Sequence, residues 1–120
     1  MKMNLYMSDL LDKKCVPCEG GILPFDIGEI HKYQKKIDGW DVKKNEKRKY
    51  FLEKNFVFKN FIDSQNFITK VGEISEKENH HPDISFGWGY AKILITTHAI
   101  EGLSKNDFIL AAKIDQIFSV

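Results

Sequence analysis

The residues best suited to do chemistry in this 120-residue chain are its histidines, which number four and are unevenly placed. His80 and His81 are adjacent and run into Pro82-Asp83, His98 follows Thr96-Thr97, and His31 stands apart. An imidazole titrates near neutral pH, so it both donates and accepts protons under cellular conditions without a metal. Adjacent side chains of an extended segment point to opposite sides, so His80 and His81 are expected to serve different roles. The stretches 82–89 and 90–97 match in length; folded as a hairpin, they return His98 beside the pair and bring three imidazoles to one rim of a sheet.

Three readings of that cluster compete. The histidines can be structural, satisfied by local hydrogen bonds. They can ligate zinc, for which Glu76 or Asp83 is a candidate fourth ligand, but the chain has no HxH or HExxH spacing to support it. They can act as general acid and base. A second grouping, Cys15-Val16-Pro17-Cys18, has CxxC spacing but no second pair, and His31 supplies at most a third ligand. A thioredoxin-like use needs the motif between a strand and a helix, whereas here it follows a polar, lysine-containing stretch. The two thiols are read as inert members of an N-terminal extension, against a metal shared between subunits or a disulfide. A metal-binding regulator built on Cys15, Cys18 and His31 is one rival function.

The elements that must position these groups can be read from periodicity. Residues 1–24, charged, then cysteine-containing, then Gly20-Gly21 and Pro24, form an extension, and residues 25–120 form the domain. Asp26 caps a helix to about Asp38, with Ile27, Ile30, His31, Gln34 and Ile37 along one side, stopped by Gly39. A hairpin follows over Asp41 to Phe58, turning at Lys44-Asn45-Glu46-Lys47; Tyr50, Leu52, Lys54, Phe56 and Phe58 share the face toward the helices, with Lys54 the exception in polarity. Asn60 or Asp63 caps a second helix carrying Phe67, Ile68, Val71, Ile74 and Ser75, which must end before Pro82. Strands over Asp83–Trp88 and Tyr90–Thr97 come next, then a helix capped by Ser104 or Asn106 with Leu110, Ile114, Ile117 and Phe118 on its apolar side. Trp88, in line with Ile84 and Phe86, is read as a packing residue. The order predicts an α+β domain: a four-stranded antiparallel sheet with helices packed on one face. That leaves the other face and a strand edge uncovered, so self-association is expected.

The totals exclude several classes. With 42% hydrophobic and 29% charged residues the chain is an ordinary globular domain, long enough for one core. Eighteen basic against 17 acidic residues leave a net charge of +1, which argues against a dedicated nucleic-acid binder. The lysines at 43, 44, 47 and 49, with Arg48, are interrupted by Glu46 and read as a solvated turn. No apolar run approaches the roughly 20 residues of a membrane span, and Met1–Leu11 lacks the apolar stretch of a signal peptide. Cytoplasm is the expected location.

The run Glu76-Lys77-Glu78-Asn79-His80-His81-Pro82-Asp83, then Trp88, Thr97-His98, Gly102-Leu103-Ser104 and Asp107, resembles the signature of the pterin-4a-carbinolamine dehydratases. Gly39-Trp40 and Phe58-Lys59-Asn60-Phe61 are similar to earlier landmarks of that family, and Cys-x-x-Cys before Gly-Gly to the start of many bacterial members; the resemblance spans about residues 22–120. It implies a four-stranded antiparallel α+β fold assembling as homodimers or homotetramers. The implied reaction is dehydration of 4a-hydroxytetrahydropterin to quinonoid dihydropterin, which recycles the pterin of aromatic amino-acid hydroxylases with no metal or organic cofactor. By position His80 and His98 are then the acid/base groups and His81 helps to bind substrate. Asn79, Thr96 and Thr97 line the pterin site, and Glu76 and Asp107 orient the histidines or bind the ring. On the residues alone, Asp107 can equally cap the last helix and Glu76 be a solvated helix position. Lys54 replaces a common arginine, Ser75 a frequent alanine, and Ala99 a usual polar residue, none of them a proton-transfer group. Because animal members also act as dimerisation cofactors of a transcription factor, the second rival is a non-catalytic protein-binding module on the same fold.

Overall fold

The computed structural model of the chain describes residues 7–16 and 22–119. Four α-helices, α1 (Met7–Leu11), α2 (Ile27–Gln34), α3 (Phe61–Glu78) and α4 (Lys105–Ser119), accompany four strands, β1 (Asp41–Lys44), β2 (Tyr50–Val57), β3 (Asp83–Gly87) and β4 (Tyr90–Ile95). A 3-10 turn covers His98–Ile100.

Local chemistry sets most boundaries. The Asp26 carboxylate accepts from the Glu29 amide and opens α2. The helix stops at Gln34, short of the expected Asp38, because the chain tightens there: Lys36 and Ile37 donate to carbonyls three residues back, and Gly39 at φ 77° redirects the backbone. Asn45 organises the β1–β2 turn, its side-chain oxygen accepting from the Lys47 and Lys49 amides. Of the two expected caps for α3 the structure uses Asn60, which accepts from Asp63 N–H at 2.8 Å.

The strands order β1-β2-β4-β3, every neighbour antiparallel. Leu52, Phe56, Ala91, Ile93 and Ile95 are buried under the helices, while Glu53, Asn55, Val57, Tyr90, Lys92 and Leu94 occupy the other face. This is the α+β sheet with helices on one face that alternation predicts. Helix α4 runs through the middle of the helical layer, so Phe108 to Ala112, Ile114 and Asp115 are all buried. Rings of Trp40, Phe56, Phe58, Phe67 and Phe118 pack around its C-terminal half. Leu10 of α1, ahead of the predicted domain start, is fully buried in the same core.

Lys54 is reconciled with its apolar face by a buried partner. Its ammonium donates to Asp115 Oδ1 at 2.8 Å and to the Asp38 carbonyl at 2.7 Å, and Trp40 Nε1 donates to Asp115 Oδ2. Burial pushes the Asp115 carboxyl up, and the Lys54 and Trp40 hydrogen bonds pull against that shift.

Trp88 departs from the packing role expected of it: it is 71% exposed. The strand ends at Gly87, and the reversal through Gly89 at φ 81° breaks the alternation that would have turned the indole inward. The Tyr90 ring takes the space over Gly87, where a Cβ would come within 2.7 Å of it.

Candidate functional site

Three separate elements meet at the end of the sheet where β3 begins and β4 finishes. Asp83 pairs with Leu94, so His80-His81, just before β3, and Thr96 to His98, just after β4, emerge at the same end. The hairpin argument from matched lengths anticipates this.

The C-terminus of α3 delivers His80. Asn79 adopts the left-handed conformation at φ 51°, and its amide donates to Glu76 O while the His80 amide donates to Ser75 O. This closing motif ends the helix at Glu78, two residues before the imidazole, and fixes the direction in which the chain leaves it. From the other side, Gly102 and Thr97 form an isolated bridge around the 3-10 turn, bringing Ser104 to the start of α4. Gly102 has no room for a side chain, since a Cβ there would sit 2.7 Å from the Pro24 ring.

Asp107, fully buried in the first turn of α4, ties these pieces together. Oδ1 lies 2.8 Å from His80 Nε2. Oδ2 accepts from Thr97 Oγ1 at 2.7 Å and from the Ser104 amide at 2.8 Å. The Thr97 proton being committed to Asp107, Ser104 Oγ donates to Thr97 Oγ1 across 3.0 Å. An ionised carboxylate only accepts, so the pairing assigns the proton of the His80 ring to Nε2 and leaves Nδ1 as its second site for proton exchange. Asp107 thus does both things the sequence leaves open: it completes the helix start and it orients a histidine. His80 is largely shielded, with 12% of its side chain accessible.

His81 points elsewhere and hydrogen-bonds to the Glu76 carboxylate on the surface, both groups being well exposed. Such a pair contributes little to stability. His98 is exposed and borders a cavity of about 700 Å³ on the open face of the sheet. Phe51, Leu94 and Asp83 are among its lining, Thr96 and His98 stand at one end, and the β1–β2 turn contributes Lys44, Lys47 and Lys49. A space of that size suits a small heterocyclic ligand.

The expected site residues therefore separate into groups. Thr96 and His98 line the cavity; His80, Thr97 and Asp107 form the buried network behind it; Glu76 and His81 make the surface pair. Asn79 is an exposed helix cap. The Thr96 hydroxyl lies within reach of the Tyr50 and Gly102 carbonyls and so holds backbone. Sequence reasoning assigned no site role to Phe51, Leu94 or the Asn45 turn. The signal for the first two is the Leu52–Ile95 pairing, which puts their neighbours on the open face. Among the described residues no group of three His, Cys, Asp or Glu side chains is arranged to hold a metal ion. Cys18 lies outside the described residues.

The family profile described as pterin 4 alpha carbinolamine dehydratase matches residues 24–117. A protein of Rubrobacter xylanophilus, provisionally named pterin-4-alpha-carbinolamine dehydratase, is 43% identical over 92% of this chain and 100% of its own length. Proteins with the same provisional name from Halorhodospira halophila and Nitrosospira multiformis are 45% and 42% identical, over 90% and 98% of this chain and 96% and 100% of theirs. Among solved structures, the fold is similar to a Brucella melitensis protein titled transcriptional coactivator/pterin dehydratase (TM-score 0.70, 24% identity, 78% of this chain and 97% of that one). It is also similar to a pterin dehydratase-like protein described as a RuBisCO assembly factor of the alpha-carboxysome (TM-score 0.56, 22% identity, 66% and 88%). At these identities the two structures speak for the fold alone.

Proposed function

The chain belongs to the pterin 4 alpha carbinolamine dehydratase family, and on that premise we propose that it dehydrates 4a-hydroxytetrahydropterin to quinonoid dihydropterin by histidine acid/base catalysis. The observation that carries the reading is His80 Nε2 held 2.8 Å from buried Asp107, at the same end of the sheet as the His98 cavity. The reaction breaks the C4a–O bond and forms C4a=N5. An acid protonates the departing hydroxyl, which leaves as water, and a base removes the N5 proton. His80 and His98 are the two proton-transfer groups. One protonated and one neutral imidazole suffice: each turnover leaves their states interchanged, and proton exchange with solvent restores them, so the step needs no metal.

In this reading the pterin ring lies over Phe51 and Leu94 with Thr96 and His98 at its end, and His81 contributes to binding. The single backbone-independent anchor is Asp107, which keeps the His80 ring from rotating and keeps its proton on Nε2. The protein works as a homodimer or homotetramer that covers part of the open sheet face, serving a pathway that oxidises tetrahydropterin.

A protein-binding module on the same fold is the second reading. It is favoured by the apolar surface at the opposite end of the sheet, where Val57 and Trp88 are each 71% exposed beside Tyr90. Appearance of quinonoid dihydropterin from freshly generated 4a-hydroxytetrahydropterin separates the two. We expect acceleration over the spontaneous reaction, reduced in His80→Ala and His98→Ala and indifferent to chelator. A well-folded wild type with no acceleration sinks the enzyme reading in favour of the module.

A further inference from the structure

The CxxC segment has no place in the proton chemistry, yet its first half is bound to the protein at unusual density. The Cys15 amide donates to Glu78 Oε1 at 2.9 Å. Val16 and Asn106 exchange two hydrogen bonds, Val16 N–H to Asn106 Oδ1 at 3.0 Å and Asn106 Nδ2–H to the Val16 carbonyl at 2.6 Å. Cys15 Sγ lies 3.5 Å from the Asn106 carbonyl. The second Glu78 oxygen accepts from Lys113 of α4 at 2.8 Å. Glu78 and Asn106 are buried, 5% and 4% exposed, and the segment starts from α1, whose Leu10 is sunk in the core.

The two side chains that receive this segment flank the histidine–aspartate pair. Glu78 ends α3, two residues before His80; Asn106 is the second residue of α4, immediately before Asp107. We infer that Cys15–Val16 is a positioning strap: it joins the C-terminus of α3 to the N-terminus of α4 and so sets the separation across which His80 meets Asp107. The function it deepens is the dehydration proposed above. Without the strap, α3 and α4 are still joined by core packing and by Lys113–Glu78, which ties the end of α3 to the middle of α4. A hydrogen bond of 2.8 Å tolerates only a few tenths of an ångström before it weakens. A strap that holds its two attachment points is therefore matched to what the pair needs.

A redox use of the same segment fits less well. Burial, and then the neighbouring Glu78 carboxylate, push the Cys15 thiol up to about 12, so little of it is thiolate at neutral pH. The strap acts through its backbone and through Asn106, for which the cysteine side chain is filler.

Two full-length variants test this. Asn106→Ala removes the side chain that clasps Val16. Val16→Pro removes the Val16 N–H and fixes the local backbone while leaving the Asn106 side chain in place, at a residue 66% exposed. Each is compared with wild type for kcat and KM in the dehydratase assay, for urea stability, and for the ring-nitrogen resonances of 15N-histidine, with His80 assigned by its loss in His80→Ala. We expect kcat to fall about 10- to 100-fold with KM within about twofold, and the His80 ring to move from a fixed Nε2–H tautomer toward a mixture of tautomers. If both variants are folded and the His80 resonances and kcat stay at wild-type values, the strap is merely structural and the inference is overturned. The resonances do not depend on turnover. An inactive wild type whose His80 tautomer still shifts in the variants removes the dehydratase reading and leaves the strap standing.

Discussion

Replacing Asp107 by Asn changes charge and hydrogen-bonding pattern while leaving shape almost intact, and the structure dictates how the protein must respond. The carboxylate accepts at both oxygens: from Thr97 Oγ1 and the Ser104 amide at Oδ2, and from His80 Nε2 at Oδ1. An amide keeps one acceptor and gains a donor. Turned with its NH2 toward Ser104, it sets a donor against a main-chain N–H, which can only donate. Turned with its NH2 toward His80, it meets a ring nitrogen that can give up its proton and accept. The second orientation wins, because a neutral imidazole can change tautomer and a peptide N–H cannot. The consequence is that Nδ1 of His80 now carries the proton and is no longer a base. Loss of the charged acceptor costs about 1.5–3 kcal/mol of stability. The wrong tautomer removes an acid/base contribution of about 10²–10⁴ in kcat. The assay is single-turnover formation of quinonoid dihydropterin, run with urea unfolding of the same sample. Asp107→Asn folded, destabilised as stated, yet with kcat within about threefold of wild type, refutes the argument that Asp107 sets the His80 proton.

Two further outcomes concern stability. Lys54→Met leaves Asp115 buried beside a single neutral donor, Trp40 Nε1, and is expected to cost about 3–5 kcal/mol in urea unfolding, with the double variant Lys54→Met, Asp115→Leu recovering much of it; no recovery would mean that Lys54 acts through packing alone. Glu78 has a second signature, in pH. Burial works to raise its carboxyl, but Lys113 and the Cys15 amide outweigh that and hold it below the ordinary value of 4.5. A carboxyl lowered by folding contributes stability above its unfolded pKa and loses it as pH falls through the folded one. The stability gap between wild type and Glu78→Gln should therefore be full at neutral pH and close progressively on acidification below about 4.5, as read by urea unfolding across pH. A gap that does not change with pH would show that the Glu78 charge is not what the strap and Lys113 engage.

Much of this protein was legible in its sequence because the relevant physics is local. Alternation over Tyr50–Phe58 assigned the face turned to the helices, Asp26 was recognisable as a helix cap from its neighbours, and Asn60 was one of two candidate caps for the next helix. Matched strand lengths around Gly89 placed His80 and His98 at one end of the sheet. Lys54 was recognisable as an anomaly on an apolar face. Its partner was not, since Asp115 lies 61 positions away and no local rule couples them. Trp88 failed for the converse reason: alternation was extended one residue past the strand, into a turn where the left-handed Gly89 resets the direction of the chain.

What chain order alone determined, then, is the kind of elements, their faces, and which proton-carrying residues the protein has. The tertiary structure decided how those residues are used. Placing α4 through the centre of the helical layer brings Asp107 to His80 across 27 positions and Asn106 to Val16 across 90. The strand order β1-β2-β4-β3 sets the Asn45 turn beside the end of β4 and makes the His98 cavity. Both are products of how apolar faces close on one another, a global optimum over burial that no window of sequence contains, and the hydrogen bonds that orient the site form only once that closure has fixed their distances.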